Sequence, residues 1–187
     1  MTRRLITLDP PWGTDRGGGK ITRGANKHYD LVAAGDEWKV VVLSEAFDPD
    51  ERGCLVWCWY TTLSRRLVPT LFSRLGIRDT GAEMIWVKVK RSVSGFAIRK
   101  GLGQYVHMGH EYARLGVIGE VSTPVPYRPP SVILADRGEH SAKPDEAYIE
   151  WLKMAQGVWP DEEISALAMF ERTARPGYDV WGDEAPE

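Results

Sequence analysis

The sequence has only two cysteines and four histidines, so the residues that most often hold zinc are scarce. Cys54 and Cys58 lie in one apolar run, CLVWCWY, which is typical of a strand. Four residues of strand would hold the two thiols about 13 Å apart, too far for a disulfide. No zinc spacing appears among the histidines, which are scattered at His28, His107, His110 and His140. We therefore expect no disulfide and no metal site, and a reducing compartment such as the cytoplasm.

A charge excess of one sign is also lacking. The chain has 24 basic and 26 acidic side chains, a formal net charge of -2, so it is not a polycation that binds nucleic acid through its overall field. Any nucleic-acid contact must come from a local cluster. The first residues, MTRRLITLDPP, hold only a four-residue apolar stretch, without the apolar region of a signal peptide. We expect no contact with a membrane and a cytoplasmic location.

The 187 residues, 43% of them hydrophobic, can form the core of one ordinary domain, and we expect a single domain over 1–187. Apolar runs of strand length alternate with helical segments, which predicts an α/β fold around a mostly parallel sheet. Strands are predicted at 4–8, 54–60, 84–89, 112–118, 131–135, 166–170 and 178–181. Helices are predicted at 36–47, at 62–75 with a break at Pro69, and from 144 to about 155.

Two glycine-rich segments carry clusters of basic residues and are predicted to be loops. The first spans 13–28, and the second spans 90–109 and contains no acidic side chain. Such loops are candidates for contacts with nucleic-acid phosphates, and the alternative is that they are ordinary solvated loops. The candidate phosphate contacts are Arg16, Lys20, Arg23, Lys27, Lys88, Lys90, Arg91, Arg99 and Lys100.

The motif Asp9-Pro10-Pro11-Trp12 follows the first predicted strand, where α/β sheets bind their ligands. Two successive prolines stiffen the backbone and remove two amide hydrogens, so the turn offers acceptors only. The Asp9 carboxylate and the Pro10 carbonyl could hold both hydrogens of an exocyclic adenine amine, and the Trp12 ring could stack on the purine. Asp9 would also stabilise the positive charge that develops on nitrogen during methyl transfer. Alone, the four residues could also be a stiff loop with a surface aspartate.

With these motifs, the chain resembles the adenine-N6 methyltransferases that include the catalytic subunit of the mRNA adenosine methyltransferase and small bacterial and phage enzymes. The resemblance extends from the DPPW motif to four further blocks, WVKVK at 86–90, GLGQYVHMGHEYARLGVIG at 101–119, SVILADRGEHSAKPDEAY at 131–148 and LAMFERTARPGYDVWGDE at 167–184. It implies a Rossmann-like, S-adenosylmethionine-dependent methyltransferase fold with a permuted motif order, in which the catalytic strand precedes the cofactor-binding strands.

The resemblance also implies how the cofactor is held. The block at 140–144 would contact its methionine part, with Ser141 and Lys143 reaching the carboxylate. Glu184 would accept hydrogen bonds from the ribose, while Arg172 would order the ribose or carboxylate side, or else form a plain salt bridge. The family usually has Asn at the position of Asp183 and a small residue at that of Glu171. The implied cofactor-binding residues are His140, Ser141, Lys143, Phe170, Arg172, Gly182, Asp183 and Glu184.

The resemblance favours DNA over RNA as the substrate, because small stand-alone members are typically bacterial or phage enzymes that act on DNA. Three alternatives stay open: an RNA adenine methyltransferase, a cytosine-N4 methyltransferase, whose motif usually begins with serine, and a catalytically silent nucleic-acid-binding subunit. Such subunits tend to lose the aspartate or the cofactor acids, which this chain keeps at Asp9 and Glu184. We expect a monomer or homodimer in the cytoplasm of a bacterium or phage-infected host.

Overall fold

The structure is a computed structural model that describes residues 2–12, 35–101, 105–138, 142–171 and 173–182. Within these residues the chain forms a mixed β-sheet with helices on both faces. The strands are β1 (Leu5–Leu8), β2 (Gly53–Tyr60), β3 (Arg78–Ser92), β4 (Gly95–Ile98), β5 (His110–Gly119), β6 (Val132–Asp136), β7 (Ala166–Met169) and β8 (Asp179–Trp181). The helices are α1 (Glu37–Leu43), α2 (Val68–Arg74) and α3 (Asp145–Val158), with short 3-10 turns at Arg65–Leu67 and Val125–Tyr127.

The sheet has the strand order β4-β3-β5-β2-β1-β7-β8, and β6 pairs with β3. β1 runs parallel to β2 and β7, β8 runs parallel to β7, and β6 runs parallel to β3. β5 is antiparallel to both β2 and β3, so β3 points the same way as β2. The carboxyl ends of six strands therefore meet at one edge of the sheet, where β5 begins. The prediction of a mostly parallel α/β sheet is confirmed.

The core has two layers, one on each face of the sheet. Alternate residues of β2 point to opposite faces: Trp57 and Trp59 pack with α3, whereas Val56 and Cys58 pack with α1 and α2. The ring of Trp57 stacks on Trp151 of α3 with 4.8 Å between centroids. Because both layers are filled, β1 and β2 are buried along their whole length, which explains their continuous apolar sequences.

The helices begin and end near residues that favour those positions. α2 has Pro69 in its first turn, where the missing amide hydrogen costs nothing, and Gly76 beyond its end adopts φ +69°. α1 is shorter than the predicted 36–47, because Glu45 adopts φ 55° and the chain leaves the helix there. α3 extends beyond the predicted end at about 155, to Val158.

The prediction of a basic loop over 90–109 is wrong for residues 90–98. These residues form a hairpin in which Val89 to Ser92 of β3 pair with Gly95 to Ile98 of β4. Gly95 adopts φ +129°, which favours glycine after the two-residue turn at 93–94. β3 is also much longer than the predicted 84–89, since its exposed ends pair with β4 and β5. The other predicted basic loop, 13–28, lies outside the described residues.

The described residues also bear on the expectations for disulfides, metal sites and membrane spans. Cys54 and Cys58 are free thiols, both buried in the core. Across the described ranges, no group of three or more histidine, cysteine, aspartate or glutamate side chains is arranged to hold a metal ion. None of the helices within these ranges is both long and apolar enough to cross a bilayer.

Candidate active site

Asp9 lies at the carboxyl end of β1 and begins the turn of residues 9–12, which we call the Asp9 corner. Contacts with neighbouring strands hold this turn in place. The Asp9 backbone N–H donates to the carbonyl of Met169 at the end of β7, at 3.2 Å. Pro10 and Pro11 are buried, whereas the Asp9 side chain keeps 26% of its surface exposed. The corner is therefore anchored in the sheet and presents its carboxylate towards solvent.

The tryptophan of the motif is also held. The Trp12 indole N–H donates to the carbonyl of Trp59 at 2.9 Å, which orients the half-buried ring. The Trp12 backbone N–H donates to the Pro10 carbonyl at 2.7 Å. The prediction that this carbonyl is a free acceptor therefore needs correction, because one of its two lone pairs is engaged. One acceptor direction at Pro10 remains, beside the carboxylate of Asp9.

Lys143 connects the motif to the start of α3. Its Nζ lies 2.6 Å from Asp9 Oδ2 and 3.3 Å from Glu111 Oε2, and its side chain is only 8% exposed. Burial alone would lower the pKa of Lys143, but the negative charges of Asp9 and Glu111 outweigh burial and raise it. Lys143 is therefore a fixed cation that neutralises and orients the carboxylate of Asp9.

Glu111, at the start of β5, extends this arrangement to Lys88 of β3. Lys88 donates to Glu111 Oε1, and the two side chains are 16% and 12% exposed. Burial raises the pKa of Glu111, and the charges of Lys143 and Lys88 lower it further than burial raises it. We call Asp9, Lys143, Glu111 and Lys88 the charge chain, because opposite charges alternate along it. Lys88, a predicted phosphate contact, is instead a mostly buried member of this chain.

The ends of β7 and β8 bring together Phe170 and Gly182, two predicted cofactor-binding residues. Phe170 adopts φ 66°, an uncommon conformation for a bulky residue and one that tends to occur at functional sites. Its N–H donates to the carbonyl of Trp181 at 2.6 Å. A side chain at Gly182 would come within 3.0 Å of the Glu171 carbonyl. The close approach of the two strand ends therefore favours glycine at 182.

A buried ion pair that was not predicted follows Phe170. Arg175 donates through Nε to Glu171 and through Nη1 to Asp145 of α3, and its guanidinium lies 4.4 Å from the centroid of the Tyr148 ring. The side chains of Glu171 and Arg175 are 5% and 4% exposed. The Arg175 Nη2 atom is buried and has no hydrogen-bond partner in the structure as described. An unpaired buried donor of this kind fits the edge of a polar binding site.

The remaining predicted phosphate contacts that the structure describes lie on or directly after the β3–β4 hairpin. The four residues Lys90, Arg91, Arg99 and Lys100 are exposed. Between them, Val93 and Phe96 expose apolar side chains. The hairpin thus combines basic and apolar groups on one projection at the carboxyl end of β3.

Nine of the predicted site residues lie outside the described residues. They are Arg16, Lys20, Arg23, Lys27, His140, Ser141, Arg172, Asp183 and Glu184.

The surface of the described residues includes a cleft of about 310 Å³ beneath the hairpin, lined by residues that include Arg91, Phe96 and Leu134. Another cleft, of about 540 Å³, lies between Tyr127 and the outer side of α3. Asp9, whose side chain is 26% exposed, lines neither of these two clefts.

Comparison with known proteins identifies one family. A family model described as MT-A70 matches residues 4–184, a range that runs from the start of β1 past the end of β8 and includes every residue of the charge chain. The chain matches no curated protein.

Proposed function

The chain belongs to the MT-A70 family, the family of DPPW-motif N6-adenine methyltransferases, and from this membership we propose that it transfers a methyl group from S-adenosylmethionine to the N6 amine of adenine in DNA. The observation that carries the proposal is the Asp9 corner. An anchored, proline-flanked turn presents one carboxylate, 26% exposed and bound by Lys143 at 2.6 Å, at the sheet edge where six strands end.

The residues at this edge fit the cofactor. S-adenosylmethionine carries a sulfonium, an ammonium and a carboxylate, so its site needs buried groups of both signs. The charge chain and the Glu171–Arg175 pair supply them, and Arg175 Nη2 offers a donor without a partner in the described structure. We propose that Lys143, Phe170 and Gly182 hold the cofactor, together with His140, Ser141, Arg172, Asp183 and Glu184.

The strand order supports the proposed permuted arrangement. β7 and β8, which end at the proposed cofactor residues, come last in the chain, but β7 lies directly beside β1 in the sheet and β8 lies beside β7. The catalytic motif thus comes first in sequence and is adjacent to the cofactor strands in space. When bound, the cofactor supplies an electrophilic methyl group on its sulfonium.

The protein's own residues would position and activate the amine. The Asp9 carboxylate accepts a hydrogen bond from N6 and stabilises the positive charge that grows on nitrogen. The second lone pair of the Pro10 carbonyl accepts the other hydrogen, and the absence of amide hydrogens at both prolines removes competing donors. The Trp12 ring, held by its bond to Trp59, stacks on the purine.

The β3–β4 hairpin is the proposed contact with the polynucleotide. Its lysines and arginines would bind phosphates, and Phe96, which is 59% exposed, would stack on a base. Arg16, Lys20, Arg23 and Lys27 follow the catalytic motif in the sequence and would add further phosphate contacts. A base within a duplex would have to be flipped out of the stack to reach Asp9.

Methyl transfer from labelled S-adenosylmethionine to single-stranded DNA, duplex DNA and RNA tests the proposal. We expect label on adenine N6 in DNA, and its loss in Asp9→Ala. Asp161→Asn, which changes an exposed aspartate after α3, is the matched control and should keep full activity. Label on RNA alone would support the RNA enzyme. Cofactor binding without transfer to any polymer would favour the silent subunit, and equal transfer by Asp9→Ala would exclude the mechanism.

A further inference from the structure

Glu171 is a buried carboxylate at the same sheet edge as the partly exposed Asp9. It follows Phe170 at the end of β7, and β7 pairs in register with β1, so that Leu8 lies opposite Met169. The backbones of the two strand ends are joined by the bond from the Asp9 N–H to the Met169 carbonyl. Glu171 itself is only 4% exposed. Two carboxylates therefore lie at adjacent strand ends, one reaching solvent and the other buried behind it.

The cation that pairs with Glu171 is shared. Arg175 donates to Glu171 through Nε and to Asp145 through Nη1. Its third nitrogen, Nη2, is buried and has no partner among the residues described. One guanidinium thus serves two carboxylates and still has an unused donor. The pair is an incomplete polar cluster, and incomplete buried clusters are costly unless another group completes them.

Among the described residues of this edge, four carboxylates contact three cations: Asp9, Glu111, Glu171 and the 64% exposed Asp145 contact Lys88, Lys143 and Arg175. Burial raises the pKa of Glu171, and the negative charge of Asp9 raises it further, while Arg175 and Lys143 act in the opposite direction. Asp9 and Glu171 therefore repel each other, and a ligand of net positive charge would relieve that repulsion.

The cofactor and its product differ by one positive charge, which lies on sulfur. With its sulfonium, ammonium and carboxylate, S-adenosylmethionine has a net charge of +1. Methyl transfer breaks the bond between methyl and sulfur, whose electrons stay on sulfur, and the lone pair of the amine nitrogen forms the new bond to the methyl carbon. The nitrogen then loses one hydrogen as a proton to solvent, and the cofactor product is a thioether with no net charge. The reacting sulfur must lie near Asp9, since the amine that Asp9 holds receives the methyl group.

We propose that Glu171 makes the site discriminate between the charged sulfonium cofactor and the neutral thioether product. Its carboxylate attracts the sulfonium electrostatically and loses that attraction once the methyl group has left. Glu171 is thus a specificity residue that strengthens cofactor binding and favours product release. This inference rests on the proposed function, because it takes S-adenosylmethionine as the ligand of this edge.

Calorimetry with S-adenosylmethionine and S-adenosylhomocysteine on the wild type, Glu171→Gln and Glu171→Ala tests the proposal. The measured quantity is the Kd of S-adenosylhomocysteine, the thioether, divided by the Kd of S-adenosylmethionine, the sulfonium. We expect this ratio to fall on the order of tenfold in both variants, the size of a charge attraction in a partly buried site. Because both ligands are measured on the same preparation, partial unfolding of a variant cancels from the ratio. Glu150→Gln, which removes a surface carboxylate of α3, is the matched control and should leave it unchanged.

The outcomes separate the inference from the function on which it rests. If the wild type binds both ligands and the ratio is the same in Glu171→Gln, the inference is wrong while the methyltransferase proposal stands. If both affinities fall equally, Glu171 binds the part that the two ligands share, and discrimination by sulfur charge is again excluded. Failure of the wild type to bind either ligand would overturn the proposed function, and the inference with it.

Discussion

Lys143 and Asp9 are 134 positions apart in the sequence, yet the ammonium of one lies 2.6 Å from the carboxylate of the other. The start of α3 brings Lys143 to the end of β1 because α3 follows β6, whose carboxyl end lies at the same sheet edge. On its other side Lys143 contacts Glu111, at 3.3 Å. Its position is therefore set by two carboxylates rather than one, and the geometry of Asp9 depends on residues of two other strands.

Removing the charge of Glu111 should destabilise the protein. In Glu111→Gln, Lys88 and Lys143 lose the carboxylate between them, and breaking a buried pair typically costs about 3 kcal/mol or more. Urea denaturation measures the free energy of unfolding. In the double variant with Lys88→Met the loss should be smaller than the sum of the two single losses, by about 1 to 3 kcal/mol.

The exposed pair of Glu150 and Lys153 on α3 is the control for this experiment. Glu150→Gln should cost no more than about 0.5 kcal/mol, because solvent screens a surface pair. Strictly additive losses in the Glu111 and Lys88 variants would show that the charge chain is not a coupled unit.

If the β3–β4 hairpin binds a polynucleotide, its charges should determine how salt affects binding. Replacing Lys90 and Lys100 by Gln removes two exposed cations, and the slope of log K against log salt should decrease in magnitude by about 1.8 for duplex DNA. Fluorescence anisotropy with labelled DNA over a salt series measures this slope. Replacing Lys39 and Lys153, which lie on helices, should leave the slope unchanged. An unaltered slope in the hairpin variant would place the phosphate contacts elsewhere.

The parts of the fold that could be predicted are those that the local sequence determines. β1, β2 and β7 are fully buried, so each reads as an apolar run, and the predicted positions differ from the observed ones by at most one residue. β3 was harder because its exposed ends carry polar residues such as Arg78 and Lys90, and β4 was harder because it is only four residues long and fully exposed. Pairing with neighbouring strands, and not local composition, keeps those residues in the sheet.

The candidate site divides in the same way. Asp9 could be proposed as a site residue because the prolines and the tryptophan lie next to it in the sequence. Glu111 could not, since its ion pairs are with Lys88 and Lys143, which only the sheet topology brings within reach. Lys88 was predicted to bind phosphate for a related reason: composition marks a segment as basic but does not reveal which of its cations already has a buried partner.

Gly157 of α3 should not tolerate alanine, although alanine normally stabilises a helix relative to glycine. An added Cβ would lie 2.0 Å from Cγ and 2.5 Å from Cβ of Tyr127, so the ring cannot rotate away and the backbone must shift. We expect a loss of about 1 to 3 kcal/mol on urea denaturation. In a Tyr127→Gly background, which also removes the Tyr127 Cβ, the same change should be neutral or stabilising. A stabilising effect in both backgrounds would contradict the packing of Tyr127 on α3.

The two cysteines should be unreactive in the folded protein. Burial raises the pKa of the Cys54 thiol to about 12 and holds that of Cys58 well above its ordinary range. The thiolate is the reactive form, so a disulfide reagent at about pH 8 should modify neither cysteine within minutes. In guanidinium both should react at once. Rapid modification of one thiol under native conditions would show that its strand opens locally.

Asp50 should make the stability of the protein depend on pH in the acid range. Its carboxylate accepts hydrogen bonds from Arg52 and lies 3.5 Å from Arg4, and the hydrogen bond from the Arg52 side chain is the main cause that holds its pKa well below the ordinary value of 3.8. A depressed pKa in the folded state means that the ionised form stabilises the fold above the ordinary pKa. That stabilisation is lost as the pH falls towards the folded-state value.

We therefore expect Asp50→Asn to be less stable than the wild type at neutral pH, and the difference to narrow as the pH is lowered from about 5 to about 2. Urea denaturation of both proteins across this range measures the difference. Asp161→Asn, at an exposed position, should follow the wild-type curve. The pKa of Arg52 is raised by its hydrogen bond to Asp50, so Arg52 keeps its charge throughout the range and Asp50 is the member of this pair that titrates. If the difference in the free energy of unfolding stays constant down to about pH 2, the charge of Asp50 does not stabilise the fold. Asp50 would then act through hydrogen bonds that the side-chain amide of the Asp50→Asn variant replaces only in part.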